Sequence, residues 1–360
     1  MKYWIITYGC QMNKSDSERI ASVLEKESYK PASKENEADL IVVNMCSVRQ
    51  SAVDRVYGKI NDFAKLKVQN PKLKTILTGC ILREDRKKFS GKFDLIWDIK
   101  DLSNWLDHLK LKNAISLPWQ SYDVNNCYLK IQPKYQNKFL AFIPISNGCN
   151  NFCSYCVVPH VRGPLVCRDH KEILKEVKNA ISNGAREIWL LGQNVNNYQS
   201  DGINFAKLLK MINAIPGNFL IRFMSPHPAD FSDELIDVMA KSKKIAKYLN
   251  LPVQSGDDEI LKKMNRPYAV KQYKDLVKKI RKKMPEINLS TDVIVGFPRE
   301  TKKQFENTVK LFKEMKFNIA YISKYSPRPG TVAQKMKDNV SWQEKKRREK
   351  ILRELIKKNA

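Results

Sequence analysis

Three cysteines stand within eight residues, in the run Cys149-Asn150-Asn151-Phe152-Cys153-Ser154-Tyr155-Cys156. Thiolates at this C-x3-C-x2-C spacing are soft ligands, suited to an iron–sulfur cluster or to zinc. A structural zinc site calls for a fourth ligand, which His160 or Cys167 stands near enough in sequence to supply. A four-iron cluster held by only three thiolates keeps one iron open for a substrate or cofactor.

A second set is spread much more widely. Cys10, Cys46 and Cys80 are 36 and 34 residues apart, which no local ligand motif would explain. Each follows an apolar run that reads as a strand. In a parallel α/β sheet the carboxyl ends of the strands lie along one edge, where ligands bind. The three thiols are therefore expected to converge. Gly9 and Gly79 precede Cys10 and Cys80 and permit close backbone approach. Cys127 and Cys167 have no partner at a recognisable spacing and read as free thiols.

The elements that must position these cysteines alternate as strand and helix. Strands are expected over 3–8, 39–45, 74–78 and 93–99, with helices over 15–28, 49–68 and 101–110. Ser15 and Glu18 form a candidate capping box for the first helix. Residues 112–138 are polar, with Pro118, Asn125, Asn126, Pro133 and Asn137, and read as a linker. The pattern then restarts. Strands are expected over 139–146, 186–191, 219–224, 247–253, 288–295 and 318–325, with helices over 169–183, 204–214, 230–241, 257–283 and 301–315. Six βα units imply a partial barrel with its chemistry at the carboxyl ends of the strands. The domains predicted are 1–111, a parallel α/β sheet domain; a linker, 112–138; a partial (βα)6 barrel, 139–334; and a basic helix within 335–360, read as a solvated terminal helix with Ile351 and Leu355 on one side.

Composition narrows the class. The 360 residues include 65 Lys plus Arg against 38 Asp plus Glu, a formal net charge of +27, which suits a polyanion such as nucleic acid. Lysine supplies most of that charge and is scattered over every segment. With 42% hydrophobic residues the chain has enough apolar material for packed cores. No run approaches the roughly 18 consecutive apolar residues of a membrane helix, and the first residues lack a signal-peptide apolar region. A cytoplasmic protein is expected, in which eight cysteines indicate metal or redox chemistry.

The Cys149–Cys156 motif, with Tyr155 before its last cysteine, resembles the radical S-adenosylmethionine (SAM) enzymes. Together with Thr7-Tyr8-Gly9-Cys10-Gln11-Met12-Asn13-Lys14-Ser15-Asp16-Ser17-Glu18 it resembles the radical SAM methylthiotransferases. Agreeing segments follow in order at 192–196, 251–256, 291–298 and 325–331, so the resemblance covers about residues 3–355. Within that family, Gly-Cys-Gln-Met-Asn at 9–13 is most like the branch acting on N(6)-isopentenyladenosine in tRNA. A branch acting on threonylcarbamoyladenosine and one acting on a ribosomal-protein aspartate are the alternatives. A non-catalytic iron–sulfur or zinc RNA-binding protein is the alternative of another class. Two positions depart from the family pattern: Leu165 stands where Glu is usual and Cys167 where Ser is usual. The resemblance also implies a small β-barrel RNA-binding module, the TRAM domain, after a helix like 342–357. The sequence stops there, so a family member lacking that module is expected.

The resemblance implies two [4Fe-4S] clusters. Cys149, Cys153 and Cys156 would hold the one whose open iron binds SAM; its reductive cleavage would give a 5′-deoxyadenosyl radical that takes hydrogen from C2 of the adenine. Cys10, Cys46 and Cys80 would hold an auxiliary cluster carrying the sulfur, first methylated by a second SAM. Tyr155 is expected to pack on the SAM adenine. Gln193, Asn194, Gln254, Ser255 and Asp292 are expected to hold SAM or substrate from the strand ends, and Arg222 to pair with the SAM carboxylate. His227, between Pro226 and Pro228, reads as structural. The implied partners are the anticodon stem-loop of tRNA, an electron donor such as flavodoxin or ferredoxin, and an unidentified sulfur donor, with no membrane. A monomer is expected.

Overall fold

The computed structural model describes residues 1–105 and 127–357. The expected helix 101–110 beyond residue 105, the linker over 112–126 and the last three residues lie outside the described residues.

In the first domain β1 (Lys2–Tyr8), β2 (Lys30–Pro31), β3 (Leu40–Cys46), β4 (Lys74–Cys80) and β5 (Leu95–Ile96) form a parallel sheet in the order β2-β1-β3-β4-β5. β3 is buried at every residue, as a central parallel strand must be. Its side chains alternate between two cores. Leu40 and Val42 pack with Ile20 and Leu24 of α1 (Gln11–Lys26), while Ile41, Val43 and Met45 pack with Val53, Val56 and Phe63 of α2 (Gln50–Gln69). Burying each such aliphatic side chain contributes about 1.5–3 kcal/mol.

Three local expectations change. α1 begins at Gln11 rather than 15. Asn13 Oδ1 accepts from the Cys10 amide at 3.2 Å and closes its first turn, so no capping box forms at Ser15 and Glu18. Those two side chains instead reach beyond their own domain: Ser15 Oγ donates to Phe142 O of the barrel at 3.0 Å, and Glu18 Oε1 accepts from Gln136 N of the linker at 3.2 Å. The strand expected over 93–99 pairs only at Leu95–Ile96, because Asp98 accepts from Lys100 N and starts a 3-10 turn over Ile99–Asn104. Within the described part of the expected linker, which is mostly exposed, Tyr128 and Leu129 are fully buried beside Trp97 and Trp105 in the first domain's core.

The second domain is a partial barrel of six parallel strands. β6 (Leu140–Pro144), β7 (Glu187–Leu191) and β8 (Leu220–Phe223) form one sheet; β9 (Tyr248–Asn250), β10 (Asn288–Val295) and β11 (Ile319–Lys324) form the other. A parallel bridge between Ile221 and Ile245 joins them. The convex face, including Ala141, Ile143, Ile188 and Leu190, packs in the main core with the surrounding helices. The opposite face carries Phe142, Trp189 and Leu191.

The helix expected over 257–283 is two, α3 (Asp258–Lys263) and α4 (Val270–Lys283). Pro267 has no N–H to continue a helix, and Asn265 adopts a left-handed φ of 55° just before it. The final helix, α5 (Trp342–Lys357), is not a solvated appendage. It packs on the barrel with Leu352 fully buried, Ile351 and Leu355 partly so, and Arg348 paired to Glu300 at 2.6 Å. Among the described residues no helix is long and apolar enough to cross a membrane.

Buried arginines join the domains. Arg19 of α1 meets Glu176 Oε1 at 2.8 Å, and Arg168 meets Glu176 Oε2 at 2.8 Å. Arg328 reaches Asp85 at 3.3 Å and also bonds to Gln50 and the Ser47 carbonyl in the first domain. Removing the shared carboxylate would strand two buried guanidiniums. Glu176→Ala is therefore expected to lose about 3–5 kcal/mol of stability, read as a lowered urea midpoint; an unchanged midpoint would contradict the clamp.

Candidate active site

Both cysteine sets sit on tightly turned loops at strand ends. Cys46 and Cys80 are the last residues of β3 and β4 and are register partners; Cys10 follows β1. Gly79 has φ 109°, and a Cβ there would lie 2.3 Å from the Met45 carbonyl, so only glycine lets β4 approach β3 this way. Asn13 ties the three ends together. Its Oδ1 accepts from the Cys10 amide, and its Nδ2 donates to Asn44 Oδ1 at 2.9 Å and lies 3.8 Å from Cys80 Sγ.

The second set follows β6. Gly148 has φ 82°, and a Cβ there would fall 1.9 Å from the Pro164 carbonyl. Its amide donates to Gln193 Oε1 at 2.6 Å, which pins the loop to the end of β7. Each sulfur has an N–H donor at 3.4 Å: Asn151 N for Cys149, Val158 N for Cys156 and Arg266 Nη1 for Cys153. Such outer contacts orient thiolates and tune what they bind.

The two sets face one cavity of about 390 Å³. Cys10 and Cys46 line it from the first domain, and Cys149, Cys153 and Cys156 from the second. Cys80 lies just behind, packed with Cys46 against Val157 and Val161 of the other cysteine loop. Arg162 closes the joint between them. It is buried, and its Nε donates to Cys80 Sγ at 2.8 Å; Nη2 pairs with Asp16 at 2.6 Å, and Nη1 reaches Tyr128 Oη at 3.1 Å and Asn147 Oδ1 at 3.3 Å.

Burial raises the Cys10 and Cys149 thiols and pushes Cys156 up to about 12. The hydrogen bond between Cys46 and Cys80 lowers Cys46 and raises Cys80. Thiols held protonated in this way become ligands by exchanging protons for metal. Among the described residues, neither triad brings its three sulfurs within 4.8 Å of one another. Neither His160 nor Cys167 lines the cavity as a fourth ligand, and three soft thiolates facing open space suit an iron–sulfur group with one open iron.

Of the other expected site residues, Tyr155, Gln193, Gln254 and Asp292 line the cavity. Burial raises the Asp292 carboxyl, and its Oδ2 accepts from Asn250 at 2.8 Å. Three expected residues do not line it. Asn194 is buried and donates to Asp230 at 2.7 Å. Ser255 is buried and accepts from Asp257 N at 3.3 Å. Arg222 lies over the Trp189 ring, 3.4 Å from Glu187. The departures Leu165 and Cys167 also lie outside the lining. The Leu165 amide donates to Asn150, and Cys167 Sγ accepts from the Gln199 amide.

Sequence reading missed Arg162, Arg266 and the apolar side of the cavity formed by Met12, Leu191 and Met224. Arg266 had a signal: Pro267 beside it marks the break between α3 and α4 that turns its guanidinium inward. His227 holds its loop, accepting from Ala229 N at 3.3 Å through Nδ1, yet it also lines the cavity.

Comparison with known proteins agrees with this arrangement. The Radical SAM superfamily model matches residues 143–312, and a model described as uncharacterized protein family UPF0004 matches residues 2–97. Among solved structures, the cobalamin-dependent S-adenosylmethionine radical enzyme OxsB superposes with a TM-score of 0.66 at 13% identity, over 99% of this chain and 56% of that one. The radical S-adenosylmethionine methyltransferase TsrM from Kitasatospora setae gives 0.63 at 14%, over 92% and 74%. At these identities the likeness shows the fold, that of a radical SAM protein with an α/β domain in front. Curated relatives are closer in sequence. A tRNA-2-methylthio-N(6)-dimethylallyladenosine synthase of Dictyoglomus thermophilum is 42% identical over 96% of this chain and 80% of its own length. The protein of that name from Endomicrobium trichonymphae is 41% identical over 98% and 83%, and that from Clostridium novyi 43% over 94% and 77%. The chain belongs to the tRNA-2-methylthio-N(6)-dimethylallyladenosine synthase family.

Burial, helped by the nearby Arg266 charge, holds His227 down to about 3. Its unfolded value is about 6.5. Between these values the unfolded chain binds the extra proton, so stability falls as pH drops below about 6.5. His227→Asn is expected to shrink the difference in urea midpoint between pH 7.5 and pH 5; an unchanged difference would contradict a neutral buried imidazole.

Proposed function

We propose that the chain inserts a methylthio group at C2 of N(6)-isopentenyladenosine beside the anticodon of tRNA. The observation that carries this reading is the shared cavity, which gives two sets of cysteines one substrate space. In this reading Cys149, Cys153 and Cys156 hold a [4Fe-4S] cluster that binds SAM, and Cys10, Cys46 and Cys80 hold a second. Bound there, these groups supply the radical that an unactivated aromatic C–H demands and the sulfur that replaces the hydrogen.

The chain's own residues bind, orient and enclose. Tyr155, Gln193, Gln254 and Asp292 contact SAM from the cavity wall. Asn194 and Ser255 act one step back, by fixing the loops that carry these residues. Arg222, seated on Trp189 beside Glu187, lies outside the cavity lining. The backbone amides and Arg266 hold the first three sulfurs in place, and Arg162 with Asn13 holds Cys80. His227, neutral, offers the cavity no charge. Met12, Leu191 and Met224 form an apolar side suited to an isopentenyl group. The relatives named for N(6)-dimethylallyladenosine favour isopentenyladenosine over the threonylcarbamoyl alternative. The surplus of basic residues suits the anticodon stem-loop, whose bases can be splayed out of the stack. An electron donor such as flavodoxin or ferredoxin completes the reaction, and the enzyme works as a cytoplasmic monomer.

The test is anaerobic reconstitution with iron and sulfide, then SAM, dithionite and isopentenylated tRNA, with mass spectrometry of the digested nucleosides. Wild type is expected to give the 2-methylthio nucleoside. The Cys10→Ala, Cys46→Ala, Cys80→Ala triple variant is expected to form 5′-deoxyadenosine without that product, and Cys153→Ala to form neither. If wild type makes 5′-deoxyadenosine but leaves isopentenylated tRNA unchanged, the substrate assignment is wrong.

A further inference from the structure

Arg162 belongs to one cysteine set by sequence and to the other by contact. It follows Cys156 closely in the barrel's cysteine segment. Its guanidinium nevertheless bonds to a thiol of the first domain, Nε donating to Cys80 Sγ at 2.8 Å. A short run of hydrogen bonds connects the two sulfurs. Val158 N donates to Cys156 Sγ at 3.4 Å, and Arg162 N donates to Val158 O at 2.8 Å. The turn over Val158–Val161 thus anchors the arginine to one set while its side chain reaches the other.

The charges there are shielded from water. Arg162 and Cys80 are buried, and Asp16 is fully so. Asp16 Oδ2 accepts from Arg162 Nη2 at 2.6 Å, while its buried Oδ1 has no hydrogen-bond partner among the described residues. The cation therefore sits between one carboxylate and one sulfur, in surroundings where charge is weakly screened. The set's contacts with Asn13 are neutral by comparison. Asn13 Oδ1 lies 3.5 Å from Cys10 Sγ, and its Nδ2 lies 3.8 Å from Cys80 Sγ. Arg162 does not line the cavity, so it meets the first domain's cysteines from behind and not through a bound molecule.

We propose that Arg162 is a positioning residue that sets the reduction potential of the group held by Cys10, Cys46 and Cys80. The proposal rests on the cluster assignment above. A group bound by three thiolates gains negative charge when it takes an electron. A buried guanidinium hydrogen-bonded to one of those sulfurs stabilises that charge and raises the potential. Asp16 works in the opposite sense, because its carboxylate offsets the cation and repels the added electron. The potential is thus set by a buried pair that neither solvent nor substrate touches. The barrel supplies the cation, so the first domain's group has this potential only while the two domains are docked. The step concerned is the gain of one electron from an external reductant; no bond forms or breaks.

The test titrates that group alone. The full chain carrying Cys149→Ala, Cys153→Ala and Cys156→Ala is the parent, reconstituted anaerobically with iron and sulfide. Dithionite titration with redox mediators, followed by electron paramagnetic resonance, reads the potential, and iron content is checked in each sample. Arg162→Gln removes the cation and is expected to lower the potential, by at least about tenfold in the reduction equilibrium, or about 59 mV for one electron. Asp16→Asn removes the anion and is expected to raise it. Arg162→Lys keeps the charge and is expected to fall between Arg162→Gln and the parent. A merely structural joint predicts no opposition of sign, because Arg162→Gln and Asp16→Asn break the same ion pair. Shifts of one sign in those two variants, or reduction equilibria within twofold of the parent in both, would overturn the proposal. If Arg162→Gln alone loses its iron, the sign of the Asp16→Asn shift decides: a rise supports the proposal and a fall or no change overturns it. Loss of iron from all three variants would leave Arg162 a structural residue only and overturn it too. Absence of an iron–sulfur signal in the parent would overturn the cluster assignment itself, and the tuning with it.

Discussion

The Arg162 guanidinium is a full positive charge buried between two domains, and few groups answer it. Asp16 comes from α1, Cys80 from the end of β4, Asn147 from beyond β6 and Tyr128 from the segment that returns between the domains. A planar fork of donors cannot slide against such partners without leaving one unpaired, which costs several kcal/mol in a buried site. A buried ion pair of this kind often stabilises no more than apolar packing would. What it adds here is register. It fixes the strand ends that carry Cys10, Cys46 and Cys80 against the loop that carries Cys149, Cys153 and Cys156. The Arg19–Glu176–Arg168 clamp and Arg328 hold the same interface at other points.

From that joint the rest of the site follows. The first domain needs glycine at 79 so that β4 can lie close to β3, and the barrel needs it at 148 so that the cysteine loop can turn under Pro164. With both turns in place, five thiols from distant parts of the chain line one cavity.

Much of this was legible in the residues. The strand-end placement of Cys10, Cys46 and Cys80 followed from apolar runs alone, because parallel strands share an edge. The six barrel strands followed from the same periodicity. What stayed hidden depended on contacts between segments far apart in sequence. Ser15 and Glu18 look like a helix cap locally, but their side chains bond to the barrel and to the linker. Asn194, Ser255 and Arg222 sit near strand ends as expected, yet side-chain direction turns them towards Asp230, a local turn and Trp189. Arg162 went unread, since nothing local marks a guanidinium that will reach a cysteine 82 positions earlier. Pro267 did carry a local signal, and with it the inward turn of Arg266.

The most direct measurement needs only the metal-free protein. Under anaerobic conditions it would be treated with a short bifunctional thiol reagent, digested, and mapped by mass spectrometry. A shared cavity predicts bridged peptides that join Cys10 or Cys46 to Cys149, Cys153 or Cys156. Bridges confined within each triad, with single modification elsewhere, would contradict it.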